Sequence, residues 1–224
     1  MLRRSLCSSP PIRWASRVLS RVIARPFHSD GKTLQFGISG GFGTPIYSSD
    51  EGLNHHNFTL GANFPVRVDK VKAVGATVDN AMNMFKFTPE LLLSYDRFAL
   101  ESQYFFNRYN RRSHIHAFTG QGAYVTLRGL LLGSKYGYNM VDGGLATPAP
   151  KSLELVLSYN YTTLTSPKAD IWGGRLNDVS ATVNYYINKY MIFRFRYAYT
   201  HRWDSDLGPK VDLSTFLARL QIIF

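Results

Sequence analysis

Thr215–Phe224 (TFLARLQIIF) sets the terms for the rest of the chain. Phe216, Ala218, Leu220, Ile222 and Phe224 fall on one side of an extended backbone, and Leu217, Arg219, Gln221 and Ile223 fall on the other. A period of two is the mark of a β-strand. The stretch stops on phenylalanine without a polar tail, which suits a barrel wall in lipid and equally the edge strand of a soluble sandwich. Ten residues do not choose between the two.

Working upstream, the same period returns. Met191, Phe193, Phe195, Tyr197 and Tyr199 oppose Ile192, Arg194, Arg196 and Ala198, and Val179, Ala181, Val183, Tyr185 and Ile187 oppose Ser180, Thr182, Asn184 and Tyr186. Leu153, Leu155, Leu157, Tyr159 and Tyr161 oppose Glu154, Ser158 and Asn160. Ala123, Val125, Leu127, Gly129 and Leu131 oppose Tyr124, Thr126 and Arg128. Phe98, Leu100, Tyr104 and Phe106 face away from Glu101, Gln103 and Asn107, and Leu91, Leu93 and Tyr95 alternate with Glu90, Ser94 and Asp96. Asp-Gly at 30–31 predicts a hairpin between 18–27 and 32–42, because these residues tolerate positive φ. The apolar faces end repeatedly in tyrosine (95, 104, 159, 161, 185, 197, 199), as an interfacial aromatic girdle requires. Asn57–Asn83 reads either as a further strand or as part of a long excursion.

Composition agrees with β structure: among 224 residues, 15 Phe, 14 Tyr and 18 Gly are prominent. No run of 18 apolar residues offers a membrane-spanning helix, whereas a barrel strand needs only about ten alternating residues. Net charge is +11, which fits nucleic-acid binding, an anionic membrane surface or an anion-conducting interior. Cys7 is the single cysteine, so no intrachain disulfide forms and a cysteine-rich metal site is excluded. Residues 1–29 hold six arginines and no acid, a composition similar to a mitochondrial transit peptide, and contain no secretory h-region.

Connections predict sidedness. Tight turns at Asp30-Gly31, Asp96-Arg97 and Asn188-Lys189 alternate with long loops at 43–83, 108–116, 165–176 and 201–214, the asymmetry of a transmembrane barrel. The basic run RYNRRSHIH (108–116), with Arg108, Arg111 and Arg112, is placed in such a loop. Gly133–Ser152 departs from the rule, being long on the short-turn side, and nothing in its residues accounts for this. The face opposite the apolar one becomes the lumen, and Arg128, Arg194, Arg196 and Arg219 lie on it. Arginines with few acidic partners lower the cost of anion entry and hold phosphate oxygens bidentately. Pairing with Glu90, Glu101 or Glu154 is the structural alternative for each.

Catalytic signals are missing: no GxSxG, Walker or HExxH sequence occurs, and no cofactor or metal is expected. His55, His56, His114 and His116 fall in expected loops without a companion ligand set. Nucleic-acid binding would need the basic residues on one exposed patch, and they are dispersed.

The blocks ARPFHSDGKTLQFGISG (24–40), LLLSYDRFALESQYFFNRYN (91–110), FTGQGAYVTLRGLLLGSKYGY (118–138), LELVLSYNYTTL (153–164), GGRLNDVSATVNYYINKYMIFRFRYAYTH (173–201) and LARLQIIF (217–224) resemble the C-terminal half of the phosphate-selective porins of Gram-negative outer membranes. The resemblance implies an all-β, antiparallel transmembrane β-barrel of sixteen strands, of which this chain supplies about nine to eleven. It further implies a homotrimer that passes phosphate, polyphosphate or other small anions through the bilayer by passive diffusion. The closing strand, through Leu220, Ile222 and Phe224, would signal to the outer-membrane assembly machinery. On this basis residues 18–224 are expected to be barrel and residues 1–17 a basic segment of a truncated or mis-started product. The competing expectation is a non-conducting β-barrel fragment or a structural or binding β-sheet protein.

Overall fold

The computed structural model describes residues 13–48, 56–64, 71–112 and 114–222. Strand dominates it: β1 (Arg13–Trp14), β2 (Arg17–Ser29), β3 (Lys32–Gly43), β4 (Tyr47–Ser48), β5 (Phe58–Asn63), β6 (Lys72–Val78), β7 (Ala81–Tyr95), β8 (Phe98–Arg111), β9 (Phe118–Leu132), β10 (Tyr138–Asn139), β11 (Gly144–Leu145), β12 (Leu153–Ser166), β13 (Ile171–Tyr186), β14 (Met191–Ser205) and β15 (Val211–Ile222). Nine of these form one antiparallel sheet in the order β2-β3-β7-β8-β9-β12-β13-β14-β15, all but two of the connections leading directly to the next strand in space. β5 and β6 form a separate hairpin, and β1 with β4 and β10 with β11 make two-residue ladders. Among the described residues β2 and β15 each lack a neighbour on one side, so the sheet is open. No helix among them is long and apolar enough to cross a membrane.

The alternation read from the sequence holds, and the way it is turned decides the class. One face carries the covering segments described below and is called inward. Its residues include Gln35, Ser94, Thr126, Glu154, Asp178, Ser180, Asn184 and Thr200, all buried. The outward face is aliphatic and aromatic, yet Tyr95 is 59% exposed, Leu131 55%, Phe216 69% and Leu220 52%. A soluble sheet buries its apolar face and wets the polar one, because exposed apolar area costs about 25 cal/mol per Å² in water. Here the arrangement is inverted along the inner strands of the sheet. Lipid is the solvent in which that inversion is favourable.

The strand ends correct the expected loop lengths. Arg108–Arg111 is the end of β8, not loop. β12 runs to Ser166 and β13 starts at Ile171, leaving only the turn 167–170 where 165–176 was expected as loop. β14 and β15 likewise leave 206–210 rather than 201–214. The physical reason is that strand pairing outlasts the apolar alternation: Asn177–His201, Arg175–Trp203 and His201–Asp212 remain register partners although their side chains are polar. Only two connections are long, 44–80 and 133–152. Among the described residues, β6 of the first and Tyr136 and Tyr138 of the second lie over the inward face.

Inward alternation fails at one end of the sheet, and this explains the first cover. Met84, Tyr109, Phe118, Leu164 and Leu176 hold inward positions but are apolar, and Ala73, Val74, Ala76 and Val78 of β6 pack on them. Gly173 allows the approach: a Cβ there would sit 2.7 Å from the Leu164 carbonyl oxygen and 2.9 Å from Ala76 Cβ. The described residues of the excursion at 57–83 are therefore a hairpin laid on the wall, followed by the start of β7.

Candidate pore lining

Cross-strand register converts separate arginines into a surface. Three adjacent inward rows run Glu101–Thr126–Ser158–Ser180–Ala198–Thr215, then Ala99–Arg128–Val156–Thr182–Arg196–Leu217, then Leu130–Glu154–Asn184–Arg194–Arg219. Neighbouring strands lie about 4.8 Å apart. Arg194 thus stands directly opposite Arg219, with Arg196 one row away on the same strand. Arg128, Arg194, Arg196 and Arg219 line one hollow of about 390 Å³ together with the hydroxyls of Thr126, Ser158 and Thr182. All four residues predicted for the lumen come together there.

Their partners divide them. Arg128 pairs with Glu101 at 3.2 Å and with Glu154 at 3.5 Å. Arg196 pairs with Asp178 at 3.3 Å, and Asp178 also accepts from Asn160 and Thr200. Arg194 donates from Nε to Asn184 Oδ1 at 2.7 Å, a neutral partner that leaves its charge in place. Among the described residues Arg219 makes no ion pair, and it is exposed. Within this hollow the uncompensated positive charge therefore lies on β14 and β15.

The opposite half of the inward face holds paired charges, and Lys86 of β7 stands there without an ion pair among the described residues. Arg21 reaches across β3 to Glu90, which Gly37 permits, since a Cβ there would collide with the carboxylate. Glu154 is fully buried and accepts from Tyr136 Oη, Tyr186 Oη and Asn184 Nδ2, each at 2.8 Å. Burial and the adjacent Glu154 push the Tyr136 hydroxyl far above its ordinary value, so it remains a donor. Tyr136 belongs to the 133–152 connection, which crosses the inward face from β9 to β2. Along the way Tyr136 packs on Ala99 and Leu130, Tyr138 donates to Gln35 at 2.6 Å, Gln35 donates to the Gly143 carbonyl at 2.8 Å, and Lys135 pairs with Asp30. The long connection on the tight-turn side is thus a cover over the half of the wall that holds Gln35, Glu90 and Glu154.

The remaining predicted basic residues do not form a patch. Arg108 is exposed and donates to Asn110 at 3.2 Å. Arg111 is a strap, donating to the backbone oxygens of Asp79 at 2.9 Å and Ala169 at 3.1 Å. Arg112 follows the end of β8 and is exposed. Leu220 and Ile222 are outward on β15, and Phe224 lies outside the described residues. The sequence did not single out Asp178, Tyr136 or Arg202. Arg202 is buried, donates to the Pro209 carbonyl at 2.7 Å, and stacks 5.8 Å from the Phe64 ring centroid. Its inward parity with Arg194 and Arg196, three alternate arginines away from the bare face, was the available signal.

The family model described as phosphate-selective porin O and P matches residues 19–224. No curated protein matches the chain.

Proposed function

Because the chain belongs to the phosphate-selective porin O and P family, we propose that its inward face lines a passive pore favouring small anions, phosphate or polyphosphate among them. The observation that carries this reading is Arg194 opposite Arg219, with Arg196 and Arg128 on the same hollow and carboxylates engaging only the latter two. A positive tract beside rows of hydroxyls replaces part of an anion's hydration and repels cations. Family membership supports a membrane-embedded wall in a Gram-negative outer membrane. In this reading residues 18–224 supply the wall and the segments that cover it, and residues 1–17 are a basic segment. Leu220, Ile222 and Phe224 serve recognition by the assembly machinery, and the complete pore is a homotrimer.

The test is a reversal-potential measurement in planar bilayers under a potassium chloride gradient. Anion selectivity is expected, with a several-fold lower chloride-to-potassium ratio for Arg194→Gln and Arg219→Gln than for the unaltered chain. Preference for potassium in the unaltered chain would remove the anion-channel reading. A second reading, a β-sheet protein that does not conduct, is favoured by the open edges of β2 and β15. A heat-modifiable, membrane-inserted species without conductance would establish it instead.

A further inference from the structure

We propose that the outward face carries a binding site for one anionic phospholipid at the tight-turn end of β7, β8 and β9. The site rests on the porin reading only in taking that face to lie in lipid. An outward cross-strand row runs Lys32–Tyr95–Phe98–Gly129–Leu155. Gly129 removes one side chain from an otherwise filled row. The result is a hollow of about 390 Å³ walled by Leu93, Tyr95, Phe98, Leu127, Leu131 and Leu157. That volume falls in the range of ligand sites. Its lining is apolar, so an acyl chain is the ligand chemistry that matches.

The mouth supplies the selectivity. Lys32 Nζ lies 4.3 Å from the Tyr95 ring centroid, and Lys32 is three strand spacings, about 14 Å, from Gly129. Arg97 is exposed in the β7–β8 turn, and its carbonyl accepts from Leu130 N–H at 2.9 Å, which holds the turn beside the strand that floors the hollow. Neither cation has an ion pair among the described residues. Of the acids nearby, Asp30 is paired with Lys135, and Asp96 turns toward Gly31. Lysine and arginine stems lie along apolar surface while their heads reach the headgroup level. A phosphate that brings net negative charge there is favoured over a zwitterionic headgroup. A second copy of the chain inserting side chains into the hollow is the competing occupant, and the cations at the mouth argue for lipid.

The full chain is reconstituted in vesicles of equal phosphatidylglycerol and phosphatidylcholine, extracted gently and weighed by native mass spectrometry. One phosphatidylglycerol is expected to remain per chain, roughly tenfold in excess of phosphatidylcholine. Gly129→Leu is expected to abolish retention of both lipids. The variant is tolerable, since a Cβ at 129 meets Phe98 no closer than 3.7 Å. The double variant Lys32→Gln, Arg97→Gln is expected to keep one lipid but lose the preference. Equal retention of the two lipids, indifference to both variants, or crosslinking of two copies through Leu131→Cys in a Cys7→Ser background would overturn the site. Insertion is followed separately by heat-modifiable migration and conductance. A chain that inserts and conducts but keeps no lipid refutes the lipid site alone, and one that never inserts refutes the porin reading with it.

Discussion

Arg128 and Arg219 are the same residue type on the same face of the sheet, and they do different work because of what stands next to them. Arg219 meets Arg194 and, among the described residues, no carboxylate, so in the proposed pore its charge is open to a solute. Arg128 belongs to a closed network with Glu101, Glu154, Tyr136, Tyr186 and Asn184. Removing the acceptor at its centre is therefore a stability change rather than a selectivity change. In Glu154→Ala each donor left alone costs about 1–3 kcal/mol, and Tyr136 loses its tie to the wall. A lower urea midpoint and faster trypsin cleavage after Lys135 are expected, with the anion preference kept. An unchanged midpoint together with full protection at Lys135 would show that the network does not hold the cover. Face parity made all four arginines legible in the sequence. Which of them are neutralised was not legible, because Tyr136 arrives from a connection without alternation and Asp178 meets Arg196 only through cross-strand register.

At the scale of elements, the strands were readable and their ends were not. Apolar alternation fades where a strand leaves lipid, while backbone pairing continues through 108–111 and 172–177, where Arg108, Asn110, Arg175 and Asn177 hold outward positions. The β5–β6 hairpin was similarly obscured. Its docking surface consists of Met84, Tyr109, Phe118, Leu164 and Leu176, five apolar residues on the polar parity, one each from five different strands. Each strand contributes only one residue to that surface, so the surface exists only after register is known. The tight contact between Gly173 and Ala76 makes the docking testable. Gly173→Val places atoms where Leu164 O and Ala76 Cβ already are, in a wall whose β12–β13 ladder is long enough to persist. The hairpin is expected to lift, with larger single-channel conductance and new trypsin cleavage at Lys72. Wild-type conductance in a folded Gly173→Val protein would mean that the hairpin does not narrow the path.

For the whole molecule the parity of strand number is decisive. Every neighbour in the nine-stranded sheet is antiparallel, so direction alternates and β2 and β15 run the same way. Joining those two edges directly would make a parallel pair, which bacterial outer-membrane barrels with their even strand numbers do not use. Pairing two copies in the same orientation repeats the difficulty at both seams. Antiparallel closure needs an odd number of further strands between β15 and β2, whatever polypeptide supplies them, since an unpaired edge in lipid leaves its backbone groups without partners. Disulfide trapping in a Cys7→Ser background separates these cases. Phe195 and Ala218 are outward register partners on β14 and β15, and cysteines there are expected to crosslink readily because opposed Cα atoms lie about 4.5–5.5 Å apart. Cysteines at Ala218 and at Ser20, Val22 or Ala24 of β2 are expected not to crosslink within one chain, at any of the three registers, under the same oxidation. A β2–β15 crosslink as efficient as the control would mean that the nine strands close on themselves through a parallel seam, and the inward hollow would then be the whole lumen rather than part of a wider one.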